Sequence, residues 1–304
     1  PLSFCFSRGV VHGFVVGSAG VAVVPEGVLR AVAARAVSLV ADWNSDAPDS
    51  GITGLMGGGE VTLYRPRPRH AVDWWRIRTQ RKGERMTATT IHFVRHGEVH
   101  NPDHVLYERL PGFHLSDRGV RMARATARYL ASNPQTSDIR AVYSSPLERT
   151  RQTADEILRA VNARRSSAGQ EPLSMRLDER VIEAGNEFRG MRIGHGQGAL
   201  WRPRNLRLVR NLWTPTWGES YRHIASRMAD FSRDVIRRHP DEQVVVVSHE
   251  SPIWSFRHYL ETGHPEHNML LRHAALASVT SITIDDETGG VMSITYVDPA
   301  AHIR

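Results

Sequence analysis

Cysteine and lysine are both nearly absent from this 304-residue chain. Cys5 is its single cysteine, which excludes an intramolecular disulfide and leaves a thiolate-based reaction only a residue near the start of the sequence. Lys82 is the single lysine among 39 basic residues; the rest are arginine, which fits codon usage in a GC-rich genome. The formal charge is +7, yet the arginines are scattered among acids rather than gathered into runs with aromatics between them. No nucleic-acid partner is expected from such a pattern. Long apolar runs are missing too: none approaches the roughly 18 residues that span a bilayer, so no membrane partner is expected. The 16 histidines include no His-Glu-x-x-His pattern and no Cys/His cluster with zinc spacing. Neither a metal nor a cofactor is expected, and the expected setting is cytoplasmic.

The composition changes at Met86. Before it lie an apolar Gly/Val/Ala run at residues 9–24, the segment GITGLMGGGE and the Arg/Pro tract YRPRPRH. The apolar run resembles the core of a signal peptide, but only Arg8 precedes it and Pro25 follows it. Neither helical nor alternating periodicity persists there. Residues 1–85 are expected to be translated upstream sequence or a disordered extension, with Met86 as initiator. A small N-terminal domain is the competing reading.

From residue 87 onward strand and helix signals alternate. Ile91–Val94 and Ile139–Tyr143 read as strands, and Val244–Val247 as a central strand buried on both faces. Ser116 and Asp117 can cap a helix through RGVRMARATARYLAS, and LERTRQTADEILRAV reads as a second helix that Ser145 could cap, with Pro146 in its first turn. Glu219–His239 reads as an amphipathic helix closed by Pro240, and Ser251–Leu260 as another helix with Pro252 in its first turn. Leu276–Asp285 and Val291–Val297 flank a DETGG turn, the pattern of a hairpin. The expectation is a three-layer α/β/α sandwich over residues 86–304, with a mixed, mostly parallel sheet and its ligand at the carboxyl ends of the strands.

Four polar groups stand at such ends. Arg95-His96-Gly97-Glu98 follows the first strand, where Gly97 would let backbone come close to a ligand. Tyr143-Ser-Ser-Pro-Leu-Glu-Arg149-Thr-Arg-Gln-Thr-Ala154 follows the second and aims Arg149 back at the strand ends. Ser248-His249 closes the valine strand, where an apolar setting makes unpartnered polar groups costly. Between them, in Leu177–Gly190, two glutamates compete for the role of acid. Glu179 stands between Asp178 and Arg180, a solvated setting; Glu183 stands between Ile182 and Ala184, a more apolar one that can raise its pKa toward that of a useful acid.

With these boxes in this order, the chain resembles the histidine phosphatase superfamily, phosphoglycerate-mutase-like, in its bacterial phosphatase branch, from about Thr90 to Val297. The resemblance implies that His96 is the nucleophile, Arg95 and Arg149 are phosphate clamps, His249 is a second phosphate-contacting histidine and Glu183 is the proton donor. It implies a phosphate contact for Asn101, which sits one residue nearer the box than in the mutases. Glu250, where a small residue is common, is a departure that places a negative group at the pocket rim. The partner implied is a small-molecule phosphomonoester.

The resemblance leaves phosphatase and phosphoglycerate mutase as alternatives, with a non-catalytic phospho-ligand binder a third. Glu183 and His249 are 66 positions apart (249 − 183), short for the shielding segment of a mutase. The stretch from Trp201 to Tyr221 is rich in tryptophan and arginine and reads as a lid or a pocket wall. Gly194-His-Gly-Gln-Gly198 lacks the ending of a nucleotide loop and reads as a flexible connection.

Overall fold

The computed structural model describes residues 87–136, 138–209 and 217–303, and ahead of them the backbone of five short strands. The chain divides into two compact units, Pro1–Met86 and Thr87–Arg304. In the first, Ser3–Ser7, Val10–Gly17 and Gly20–Ala22 form an antiparallel sheet, and Ile52–Met56 pairs with Gly59–Leu63. Most of the expected 1–85 extension, the Arg/Pro tract included, lies outside the described residues, as does the side chain of Cys5.

The second unit is built on six strands: β1 (Ala88–Arg95), β2 (Ile139–Ser144), β3 (Met175–Leu177), β4 (Gln243–Ser248), β5 (Val279–Asp285) and β6 (Val291–Val297). Their order is β6-β5-β1-β4-β2-β3. β1, β4, β2 and β3 run parallel, while β5 lies antiparallel to both β1 and β6, which makes the sheet mixed. Parallel neighbours need crossover connections, and helices supply them. α1 (Asp117–Ser132), α2 (Glu148–Ser167), α3 (Pro203–Val209) and α4 (Tyr221–Arg238) lie in these crossovers, and α5 (Glu250–Thr262) leads from β4 to the antiparallel β5.

The pleat sorts the core. Val94, Val142, Val245 and Val247 face α1 and α2, meeting Ala127, Leu130, Ala154, Ile157 and Val161. On the opposite face Phe93 meets Phe256 of α5 and Tyr143 meets Phe231 of α4, both edge to face. Helices thus cover both faces, the three-layer sandwich expected from the alternating signals. All four valines of β4 are fully buried, each stabilising by roughly 1.5–3 kcal/mol, and this fixes β4 at the centre. β1 hides a polar residue in that core: His92, 1% exposed, bonds through its ring nitrogens to Ser281 (2.8 Å) and Gln243 (3.3 Å). Burial lowers its pKa to about 4.

Several boundaries differ from the sequence reading. α2 starts at Glu148 with Leu147 at its cap position and no side-chain cap, and the hydroxyl of Ser145 meets His249 at 2.9 Å. α4 starts at Tyr221, capped by Ser220, and Glu219 stays outside to pair with Arg109 and Arg227. Gly196–Gly198 is a short 3₁₀ turn rather than a loose connection; a Cβ on Gly198 would meet the carbonyl oxygen of Arg192 at 2.3 Å. In the expected lid, α3 is formed, Trp201 is exposed and Trp217 buried, while Trp213 lies outside the described residues. No helix among the described residues is long and apolar enough to cross a membrane.

Candidate active site

Because β1, β4 and β2 are parallel neighbours, their carboxyl ends deliver His96, His249 and Ser145 to one edge of the sheet. Backbone bonds lock the three ends together: His96 N–H donates to Ser248 O (3.1 Å) and Ser145 N–H to Val247 O (3.0 Å). The rings of His96 and His249 lie 5.2 Å apart, edge to face, and both are buried.

Arg149 joins them. It is the bulkiest fully buried side chain described, brought back to the strand ends by its place in the first turn of α2. Its Nε donates to His96 Nε2 at 3.3 Å, and its NH2 reaches the Glu108 carbonyl at 2.5 Å and His249 Nδ1 at 3.3 Å. A guanidinium has only donors, so both ring nitrogens facing it must carry lone pairs. His96 therefore holds its proton on Nδ1, where it meets the Gly97 carbonyl at 2.7 Å. His249 holds its proton on Nε2 and donates to Ser145 Oγ at 2.9 Å. Both imidazoles are pushed well below the ordinary histidine range, first by burial and then by the Arg149 charge. For His96 the Arg95 charge adds to these, and burial is the largest cause.

Arg95, at the end of β1, donates NH1 to Glu250 Oε1 at 3.0 Å and to the Ala274 carbonyl at 2.6 Å. Its buried Nε has no protein partner. Glu183 turns one oxygen to the N–H of Ala184 at 2.8 Å and holds the other 3.9 Å from His249 Nδ1. Burial raises its pKa, against the opposing pull of the Ala184 N–H and of Arg149, Arg272 and Arg95. Glu179 is exposed in a 3₁₀ turn at Glu179–Val181. Its neighbour Arg180 forks not onto it but onto Asp178 and Asp234.

Five of the six residues singled out, Arg95, His96, Arg149, Glu183 and His249, thus meet at one place. Asn101 does not join them by hydrogen bonding here. Its amide donates to the Val105 carbonyl (2.9 Å) and accepts from the Val105 N–H (3.2 Å), closing a local turn. Gly97 serves a different approach from the one its position suggested: a Cβ there would strike the Gly119 carbonyl oxygen at 2.4 Å, so the glycine admits α1, not a ligand. Sequence reasoning missed Tyr107, whose ring lies under Arg149 (4.8 Å to the centroid), and Glu108, whose backbone carbonyl anchors that guanidinium. Glu108 adopts a left-handed φ of 40°, uncommon outside glycine, and no local signal marks it. Ser145, read as a helix cap, is the partner of His249 instead.

Chemically, the arrangement offers an unprotonated imidazole nitrogen, two guanidinium groups suited to phosphate oxygens, and a carboxyl group whose pKa burial raises. Among the described residues no cluster of three or more His, Cys, Asp or Glu side chains is placed to hold a metal ion.

Comparison with known proteins gives the same direction. The family model described as histidine phosphatase superfamily (branch 1) matches residues 91–296. The chain is 42% identical over 213 residues to the uncharacterized protein Rv0525 of Mycobacterium tuberculosis, covering 70% of this chain and 98% of that one. It is 29% identical over 174 residues to phosphoserine phosphatase 1 of Hydrogenobacter thermophilus, covering 53% of this chain and 70% of that protein. The solved structure of the mycobacterial glucosyl-3-phosphoglycerate phosphatase Rv2419c superposes with a TM-score of 0.52 at 21% identity, covering 69% of this chain and 97% of that one, a likeness of fold.

Proposed function

The chain belongs to the histidine phosphatase superfamily, branch 1, and on that premise we propose that it hydrolyses small phosphomonoesters through a phosphohistidine on His96. The observation that carries the reading is the state of His96: neutral, its Nδ1–H tied to Gly97, its Nε2 lone pair facing the guanidinium that would hold a phosphoryl group. A nucleophile in that state needs no base to strip a proton from it.

The steps follow from the groups in place. The phosphate of the ester takes over donors of Arg149 and the unpartnered Nε of Arg95, releasing the lone pair of His96 Nε2. That nitrogen bonds to phosphorus as the ester P–O bond breaks, and the electron pair leaves on the ester oxygen. Glu183 gives this oxygen its proton, completing the alcohol. A water oxygen then attacks phosphorus, the Glu183 carboxylate takes a proton from it, and the P–N pair returns to His96. The sum is ester plus water giving alcohol plus phosphate. Charge spread over three equatorial oxygens is what two planar arginine forks match. His249, neutral and held by Ser145, orders the far side. Asn101 can contact phosphate only by giving up Val105.

The test is covalent. Brief exposure to a labelled phosphomonoester should leave an acid-labile, alkali-stable phosphoryl group on the wild-type protein and none on His96→Ala, whose turnover should vanish. Near-wild-type turnover by His96→Ala would remove the mechanism. Release of free phosphate separates a hydrolase from a mutase, which returns the phosphoryl group to a substrate hydroxyl. The clamps are arginines, so EDTA should leave the rate unchanged and vanadate should inhibit.

A further inference from the structure

Glu250 directly follows His249 and opens α5, the helix that packs on the sheet face opposite α2. Its Oε1 takes NH1 of Arg95 at 3.0 Å, the same guanidinium whose Nε is left for a ligand. The Glu250 side chain is 34% exposed and that of Arg95 18%, so the pair stands where buried site meets solvent. Arg95 precedes His96 and Glu250 follows His249, the two histidines that Arg149 joins, so the pair borders the same site.

We propose that Glu250 sets the substrate class, admitting monoesters whose leaving group is uncharged or cationic beside the phosphate and turning away those that bring a second anion. The inference rests on the phosphatase reading and narrows it. Two guanidinium groups face the phosphate, and a phosphomonoester dianion already matches both. Glu250 subtracts one charge from that balance at the mouth, where the leaving group must pass. A further carboxylate or phosphate on the leaving group would meet the Glu250 carboxylate with Arg95 already shared. Arg272, the other cation whose field reaches Glu183, already donates to His267 (3.0 Å) and to Tyr221 (3.1 Å). An ammonium group would find Glu250 an acceptor with ample solvent-facing surface. Half-exposed charges a few ångströms apart change affinity by about tenfold.

Three non-hydrolysable phosphonates of similar length test this by calorimetry on the full chain: propylphosphonate, 2-aminoethylphosphonate and 2-carboxyethylphosphonate. In the wild type the amino compound should bind tightest and the carboxylate about tenfold more weakly than propylphosphonate. Glu250→Gln, which keeps size and hydrogen bonding, should bring the three within about twofold, and Glu250→Ala should do the same if Gln fails to fold. Added salt should shrink the wild-type ranking. No charge ranking in the wild type overturns the proposal. So does a variant that keeps the ranking, or that weakens all three equally, since that is the mark of a residue that only positions Arg95. The phosphatase reading is judged apart, by turnover of p-nitrophenyl phosphate: a wild type that ranks the phosphonates but hydrolyses no ester sinks that reading and leaves this one standing.

Discussion

Arg149 Nε sits 3.3 Å from His96 Nε2, and one donor thereby settles which nitrogen of the histidine is free to react. The same side chain settles the tautomer of His249 from its other end. A lysine has a single ammonium and no planar fork, so Arg149→Lys cannot keep the His96, Glu108 and His249 contacts together. The expected outcome is a loss on the order of 10²-fold or more in kcat, comparable to removal of a preorganised donor. Steady-state kinetics on p-nitrophenyl phosphate, with phosphohistidine trapping alongside, measures it; a change in KM alone would assign Arg149 to binding only.

The two glutamates now separate by geometry. Glu183 lies 3.9 Å from His249, whereas Glu179 is exposed. Glu183→Gln should slow alkyl phosphates by about 10²–10⁴-fold and p-nitrophenyl phosphate far less, because that leaving group needs little protonation. Glu179→Gln should change both modestly and equally. Burial raises the pKa of Glu183, so a proton donor at this position would be protonated below that raised value. The wild-type rate on alkyl phosphates should fall as pH rises through it, and Glu183→Gln should lose that limb. A leaving-group dependence appearing in Glu179→Gln instead would move the acid by four positions.

His92 predicts an acid-sensitive core. Its pKa is about 4 in the folded chain against about 6.5 when unfolded. Between those values the unfolded state binds the extra proton, so stability is fully present above about pH 6.5 and is lost as pH falls toward 4. The size is of order 3 kcal/mol for this residue. Urea unfolding at pH 7.5 and pH 4.5 should show a smaller difference for His92→Gln than for the wild type. The remainder would include His96, His249, His258 and His267, all lowered chiefly by burial in the same sense. Equal differences in the two proteins would dismiss His92 as a contributor.

All residues of the candidate site lie within Thr87–Arg304, one of the two compact units. A protein starting at Met86 should therefore fold and match the full chain in kcat/KM within about twofold, measured on one ester. Aggregation, or loss of most activity, would make residues 1–85 part of the working enzyme rather than an extension.

What the sequence by itself determined is what neighbours along the chain can encode. The valines of β4 read as a central strand because burial on both faces tolerates no polar residue among them. The Arg-His-Gly box, the Ser-Ser-Pro-Leu segment and Ser248-His249 read as strand ends because apolar runs stop there. Glu183 stood out through its apolar neighbours. Only the tertiary structure decided which groups meet, because those contacts join positions far apart: Arg149 and His96 are separated by 53 residues and His249 and Ser145 by 104. No local pattern could say that Ser145 would hold a histidine rather than cap a helix, or that the Glu108 carbonyl would anchor Arg149. Nor could one show that Gly97 would yield to Gly119. Each of these depends on where segments distant in the chain come to rest beside one another, and that is set by burial summed over the whole core.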